Sequence, residues 1–378
     1  MTAVFDHDLL RTPLFEARHR DLADHLDHWC AARDDQGETS VPADRCRALL
    51  REIGGAGWLR HLDADAPTSD LRSVCVRRQV LAFHEDLLDF VYSIQELSAA
   101  AIIRYGTDEQ RRHHLPGLAA GTSVGALALS EPGAGSDLAA VALEARPDGD
   151  GFVLDGVKTW IAQGDIADVH VVLARTGEGP GPLGLTALLV PGDTPGLKAS
   201  AIGAIAPRSW AELSFTGCRV GPDAVLGERG HGYVVALDVL ERARMTVAAA
   251  AVGFAGRALR LAVEHARSRK AYRGRLADLQ LVKSSLAEMR IKLLAASSLT
   301  TRAAWAADNG EDYAEASSVA KVHATEAAGE IVDAAVQIFG ASGLVADSSI
   351  ERLYRQVRSL RIYEGPSEVL RMGIAESL

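Results

Sequence analysis

Leu127-Ala128-Leu129-Ser130-Glu131-Pro132-Gly133-Ala134-Gly135-Ser136-Asp137 is an apolar strand that runs into a turn of small and polar residues. It marks the point where the texture of the chain changes. Upstream, to about residue 125, apolar residues recur at helical spacing, as at Leu22, Leu26, Trp29 and Cys30, between Gly and Pro clusters. Downstream, residues 126–129, 169–173, 185–190 and 213–215 are short apolar runs separated by Gly, Pro and Asp turns. No helix-length pattern lies between them. After Gly232 the chain reads helical again over residues 234–269, 276–309 and 313–339, and the Ala content of these stretches predicts close packing in a bundle. Helices, strands and helices in separate blocks predict an α+β protein with segregated layers, divided into residues 1–125, 126–227 and 228–378.

The composition narrows the function classes. With 378 residues, 48% of them hydrophobic, the chain is long enough to bury a large core. Fifty acidic against forty basic side chains give a net charge of -10 without segregation, which speaks against a nucleic-acid groove or an anionic membrane surface. Cys30, Cys46, Cys75 and Cys218 lie far apart with no C-x-x-C pair, so neither zinc nor a disulfide framework is expected. The N-terminal Met1-Thr2-Ala3-Val4-Phe5-Asp6-His7-Asp8 carries acids where a signal peptide needs bases, and no uncharged apolar stretch approaches membrane-spanning length. A cytoplasmic protein is the expectation.

Two familiar patterns occur without their structural context. Gly179-Pro180-Gly181-Pro182-Leu183-Gly184 satisfies G-x-G-x-x-G, yet strand-like residues follow where a dinucleotide site needs a helix, so it reads as a hairpin loop. Gly121-Thr122-Ser123-Val124-Gly125 satisfies G-x-S-x-G but precedes a strand, the reverse of a nucleophile elbow. His113-His114 sits in a polar run without ligands at helical spacing and reads as a solvated helix face.

The candidate for chemistry lies near the C-terminus, in Ile362-Tyr363-Glu364-Gly365-Pro366-Ser367-Glu368. A carboxylate between Ile and Tyr just before a Gly-Pro break is expected to be partly desolvated, which raises its affinity for a proton and suits general-base work. The 129–137 turn exposes backbone N–H groups and a hydroxyl to a polar ligand edge. In Gly156-Val157-Lys158-Thr159-Trp160-Ile161-Ala162-Gln163-Gly164 a strand Trp beside a turn can offer its face to a planar cofactor.

Taken in order, Leu129 to Asp137, Lys158-Thr159-Trp160-Ile161, Arg269-x-x-Tyr272 with Gln280, Gln337-Ile338-Phe339-Gly340-x-x-Gly343 and Tyr363-Glu364-Gly365-x-Ser367 resemble the motifs of the acyl-CoA dehydrogenase family. The resemblance runs from Tyr105-Gly106-Thr107 to the C-terminus. It implies a helical domain, a barrel-like or sandwich β domain, a C-terminal four-helix bundle, and a non-covalent FAD. It implies that Leu129 and Ser130 bond the pyrimidine side of the flavin, that Trp160 packs on the ring system, and that Ala162, Pro366 and Ser367 line the cofactor. Arg269, Tyr272 and Gln280 match residues that reach the FAD of an adjacent subunit, and Gln337 and Gly340 match the partner side of that site, which makes a homodimer or homotetramer the expectation. Ser136, Glu241, Arg244 and Gly365 match residues beside the thioester substrate, carried on CoA or on an acyl carrier protein.

The chemistry implied is removal of the thioester α-proton by Glu364 with β-hydride transfer to flavin N5, giving a 2,3-enoyl thioester. Electrons then leave to an electron-transferring flavoprotein or another acceptor, and no metal takes part. The alternative base position in the family falls on Ala243, which takes no proton. Three departures stand out: Ala162 replaces a hydroxyl residue that bonds flavin N5, residues 60–68 lack the usual Pro and Gly-Gly loop of the acyl pocket, and residues 203–210 lack a Lys-x-Gly-x-Arg run. Ala162 keeps a flavin monooxygenase or oxidase open on the same fold, as against a non-catalytic thioester-binding protein, with a Ser123 hydrolase last.

Overall fold

A computed structural model describes residues 7–33, 42–63 and 70–378. Residues 1–6 of the N-terminal segment and 64–68 of the stretch that departs from the acyl-pocket loop lie outside the described residues. Among the described residues six α-helices precede the strands: α1 (His7–Leu10), α2 (Ala17–Ala31), α3 (Pro42–Gly55), α4 (Leu71–His84), α5 (Asp86–Tyr105) and α6 (Asp108–Ala119). Their starts follow from local chemistry. Thr107 accepts from the Gln110 amide while the Gln110 side chain reaches back to Thr107, a capping box for α6. Asp70 caps α4 by accepting from the Ser73 N–H, an arrangement worth about 1 kcal/mol.

The strands are β1 (Gly125–Ala128), β2 (Glu144–Asp148), β3 (Gly151–Ala162), β4 (Val169–Arg175), β5 (Leu185–Pro191), β6 (Leu197–Ala201), β7 (Trp210–Val220) and β8 (Val225–Leu226). They form one mixed eight-stranded sheet in the order β6-β7-β3-β2-β4-β5-β8, with β1 parallel beside β4. β4 is buried from Val169 to Ala174, the pattern of a strand covered on both faces. The G-x-G-x-x-G segment is the loop between antiparallel β4 and β5, as its sequence context predicts. The G-x-S-x-G segment leaves α6 and enters β1.

The pairing of β3 with β7 carries a functional consequence. Its register slips between Leu154 and Gly156 and again between Lys158 and Ile161. The second slip leaves Trp160 with left-handed backbone, φ 59, and turns its side chain out of the pleat, 55% exposed. A bulge re-aims one side chain at the expense of one ladder position.

The remaining helices are α7 (Gly232–Ser268), α8 (Gln280–Asp308), α9 (Ala314–Phe339), α10 (Ser349–Val357) and α11 (Ser367–Glu376), with a short hairpin, β9 (Lys270–Ala271) and β10 (Gly274–Arg275), between α7 and α8. α8 begins at Gln280, not at residue 276, because Leu276–Asp278 closes a single 3-10 turn and Leu279 is extended. By length and composition α7 could cross a membrane, but most of its apolar window is buried inside the protein.

Two compact units divide the described residues. One takes the residues up to Arg33, Asp70–Asp89 and Glu241–Leu378; the other takes 42–63 and Phe90–Leu240. The core of the first is built from Met245, Phe254 and Ala258 of α7, Met289 and Leu293 of α8, and Ala324, Ala328 and Ile331 of α9. The alanines among them, Ala258, Ala324 and Ala328, let the helix axes approach closely. At Gly253 the approach is extreme, since a Cβ there would fall 2.3 Å from the Gln79 carbonyl oxygen on α4. In the second unit Leu129, Leu138, Leu173, Leu185 and Ala236 pack in one cluster under the 129–137 turn. All four cysteines are buried and free, as expected for small apolar residues.

Candidate active site

Glu364 sits in the turn between a 3-10 segment, Arg358–Arg361, and α11. The Ile362 and Tyr363 amides both donate to the Ser359 carbonyl, which closes the turn on its N-terminal side. Glu364 then takes φ 54 and Gly365 φ 98, two successive left-handed residues. Glycine suits the second position because φ 98 strains any residue that carries a Cβ. On the far side the Lys321 Nζ donates to the Gly365 carbonyl at 2.6 Å. Pro366 stands at the N-cap of α11 and Ser367 is buried at its first position. Arg361 and Arg371, on either side of the turn, ion-pair with Glu326 of α9 at 3.1 and 3.5 Å.

Glu364 Oε2 is shielded from solvent, the partial desolvation expected of it, but the cover does not come from the Ile flank. Ile362 is 55% exposed and Glu364 itself half-buried, so the Ile flank does not bury the carboxylate. Instead Glu364 acts through space on three cations, Arg78 of α4, Arg244 of α7 and Lys321 of α9. Opposite charges in a desolvated surrounding favour the carboxylate form. Burial pulls Arg78 down, but Asp89 more than offsets it and holds the guanidinium well above its usual value. Burial depresses Arg244, with Glu241 and Glu364 opposing.

Arg244 is presented by an irregularity of its helix. The Met245 N–H donates to Ser317 Oγ at 3.0 Å, and Ser317 Oγ donates to the Glu241 carbonyl at 2.7 Å. A hydroxyl from α9 thus stands inside the α7 ladder, one of the recognised causes of a local bend. Glu241 and Arg244 sit at this point, and Arg244 Nη1 reaches Ser318 Oγ at 3.4 Å. Ala243, at the alternative base position, is buried and carries no titratable group.

In the sheet-containing unit the 129–137 turn is clamped onto β3. The Lys158 Nζ, fully buried, donates to the Leu129 carbonyl at 2.9 Å and to Glu131 Oε1 at 2.8 Å, and Glu131 also accepts from the Ala142 and Leu143 amides. Burial pushes the Lys158 ammonium down to about 8 despite Glu131. The Thr159 N–H donates to the Ser130 carbonyl at 2.9 Å. These bonds bring Leu129, Ser130 and Trp160 into one constellation, with Ala162 buried on the same strand and Ser136 exposed at the end of the turn. Trp210 meets Trp160 edge-on at 6.3 Å, Phe90 meets Trp210 at 5.3 Å, and the Arg208 guanidinium lies over Phe90 at 5.5 Å.

A third group lies where α7 and α9 end. Arg269 follows α7, Tyr272 is 95% exposed at the tip of the β9–β10 hairpin with φ 51, and Gln280 opens α8. Gln337 is in the last turn of α9, and Gly340 ends it with φ 61. His265 stacks on Phe339 at 4.2 Å and feels the Arg269 charge. One chain therefore presents both motifs at the same end.

Sequence reasoning missed Lys321 and Arg78, and it quoted Lys158 without giving it a role. A signal existed for Lys321: it is a lone cation on the inward stripe Ser317, Ala320, Lys321, Ala324, Ala328 of α9. His113 and His114 stack edge-to-face on α6, and no cluster able to hold a metal occurs among the described residues.

Two family models match in order: the acyl-CoA dehydrogenase middle domain over residues 126–218 and the acyl-CoA dehydrogenase C-terminal domain over residues 230–378. The human mitochondrial short-chain specific acyl-CoA dehydrogenase is 37% identical over 331 residues, covering 86% of this chain and 78% of its own length. A glutaryl-CoA dehydrogenase of Mycobacterium smegmatis, solved in complex with FADH2, superposes with a TM-score of 0.90 at 28% identity, covering 98% of this chain and 96% of its own. A prolyl acyl carrier protein oxidase superposes with a TM-score of 0.88 at 27% identity, covering 96% and 99%. The helix, sheet and helix order, the two domain models and the whole-chain likeness agree: this chain belongs to the acyl-CoA dehydrogenase family.

Proposed function

We propose that this protein removes the α and β hydrogens of an acyl thioester to give the 2,3-enoyl thioester, with Glu364 as the base that accepts the α-proton. The observation that carries the reading is the left-handed Glu364 turn surrounded by Arg78, Arg244 and Lys321. A base must be unprotonated before substrate arrives, and three cations favour that form. The same positive potential favours the enolate charge that develops as the α-proton leaves. The proton ends on a Glu364 carboxylate oxygen.

The residues present fit a planar flavin. Trp160 offers a rigid aromatic face, turned outward by the β3 bulge and backed by Trp210, beside a turn whose carbonyls are already engaged by Lys158 and Thr159. FAD, when bound, supplies the two-electron acceptor for the β-hydride. Leu129, Ser130, Trp160 and Ala162 would hold its ring system, and Arg269, Tyr272, Gln280, Gln337 and Gly340 its remaining parts. Ser136, Glu241, Arg244 and Gly365 would meet the thioester, whose carrier is CoA or an acyl carrier protein.

Ala162 favours a second reading, oxidation with dioxygen as the electron acceptor, because the strand offers no hydroxyl at that position. Among the similar proteins, one is an oxidase of a carrier-bound prolyl group. Tyr272, Leu281 and Leu344, apolar and largely exposed, support self-association into a dimer or tetramer. An electron-transferring flavoprotein as acceptor, a cytoplasmic location and the three-part division at residues 126 and 228 belong to the same reading. The four free thiols and the succession of helices, strands and helices support the last two.

The test is anaerobic turnover of CoA- and carrier-bound thioesters with an artificial electron acceptor. Enoyl product is expected without oxygen, and Glu364→Gln is expected to lose at least ~10²-fold in turnover while keeping its flavin. Product only in the presence of oxygen would transfer the assignment to the oxidase. A Glu364→Gln protein of wild-type rate would remove Glu364 as the base.

A further inference from the structure

Lys158 and Lys321 are the two fully buried lysines among the described residues. Burying an ammonium costs several kcal/mol unless strong partners offset it, so such a residue is kept for what it does to its surroundings. Lys158 meets the Glu131 carboxylate at 2.8 Å. Lys321 directs its hydrogen bond to a peptide carbonyl, that of Gly365, at 2.6 Å. That carbonyl follows the left-handed Glu364 directly, so the ammonium touches the backbone that aims the carboxylate.

We propose that Lys321 is a positioning residue for Glu364: it grips the Gly365 carbonyl to hold the left-handed turn, and its charge, with those of Arg78 and Arg244, keeps Glu364 ready to accept a proton. The inference rests on the dehydrogenase reading of the site.

The surroundings of both groups bear on the charge. Facing Lys321 are Glu364 in the turn, Arg244 on α7 with Glu241 one turn before it, Glu326 on its own helix and Glu368 on α11. Facing Glu364 from α4 is Arg78, which also feels Tyr363. Burial pushes Lys321 down to about 8; Glu364 opposes this, Arg244 adds to it, and Glu326 and Glu368 oppose it. The ammonium is therefore charged at neutral pH.

The turn has anchors independent of Lys321. The Ser359 carbonyl accepts from two amides on one side, and Glu326 holds Arg361 and Arg371 across it. Loss of the lysine should therefore loosen the aim of Glu364 without unfolding α11.

The experiment compares Lys321→Met, which removes donor and charge, with Lys321→Gln, which keeps a donor alone. Butyryl-CoA with an artificial acceptor serves as the probe, and flavin content is measured on each protein. For Lys321→Met we expect kcat to fall ~10–100-fold with KM within about twofold, the scale of a misaligned base. The acid limb of the kcat/KM profile should move up by about 1 pH unit, since loss of an opposite charge disfavours the carboxylate. Lys321→Gln should recover part of kcat and keep the displaced limb. A displaced limb is a readout that a purely packing role would not move. If Lys321→Met does not fold, the acid limb of Lys321→Gln decides alone: displaced supports the proposal, unmoved overturns it. Wild-type kcat and limb in folded, flavin-loaded Lys321→Met also overturn it. Wild-type protein that forms no enoyl product from any thioester, with Glu364→Gln no different, would instead refute the dehydrogenase reading.

Discussion

The Arg78–Asp89 pair permits a test in which stability and chemistry separate. Arg78 Nε and Nη2 donate to the two Asp89 oxygens at 2.9 and 2.8 Å, Nη1 donates to Thr246 Oγ1 at 3.1 Å, and the side chains are 3% and 4% exposed. Arg78→Met leaves the Asp89 carboxylate buried without its guanidinium, which should cost ~3–5 kcal/mol. Asp89→Leu leaves the guanidinium stranded and should cost a similar amount. Because the pair is dry, its mutual attraction is largely spent on desolvation, and replacing both members by apolar groups is often neutral or stabilising by about 1–4 kcal/mol. Arg78→Met with Asp89→Leu should therefore regain wild-type stability to within ~1 kcal/mol. Thr246 does not oppose this, since its hydroxyl also donates to the Ala243 carbonyl. The double variant still lacks the α4 cation that faces Glu364. Its acid limb in kcat/KM should then lie above the wild-type limb although the fold is restored. Urea unfolding followed by tryptophan fluorescence gives the first quantity and the pH profile the second. A double variant as unstable as either single one would refute the desolvation argument, and a restored fold with an unmoved limb would refute the field argument.

Two further tests probe backbone strain and a charge pair far from the turn. At φ 54, Glu364→Gly should be more stable than Glu364→Ala by about 1 kcal/mol, the reverse of the order in a helix interior, because only glycine is unstrained there; equal urea midpoints would count against the left-handed turn. Asp70 accepts from His19 Nε2 at 3.1 Å and from the Ser73 amide; burial pulls its carboxyl upward, but these partners win and hold it well below its usual 3.8. A carboxyl depressed in the folded state contributes stability that is full above 3.8 and lost as pH falls through the folded value. Asp70→Asn keeps the cap and loses the charge, so its deficit in unfolding midpoint against wild type should be level at pH 5 and shrink as pH falls below 3.8; a deficit independent of pH would contradict the linkage.

Much of the site was legible because its parts are local. The Pro132-Gly133 turn after a strand, the hairpin of Gly179 to Gly184, and Gly365 after Glu364 each follow from the conformational needs of neighbouring residues. Trp160 was legible as a strand aromatic able to offer its face, but the bulge that turns it outward was not. Alternation along β3 predicts a face for every residue, and only the slipped register against β7 reverses it. The cations around the base were not legible for a similar reason. Ile362 and Tyr363 adjoin Glu364 in sequence, while the groups that act on its charge come from α4, α7 and α9.

Composition, periodicity and turn chemistry alone determined the helix, strand and helix order and the turn residues, Gly365 after Glu364 among them, since torsional preference and burial pattern are set within a few residues. The tertiary structure alone decided that Lys321 grips the Gly365 carbonyl, that Arg78 keeps its charge through Asp89, and that Ser317 enters the α7 ladder beside Arg244. Electrostatic fields and desolvation depend on distance through space, and distances between helices appear only when the helices pack.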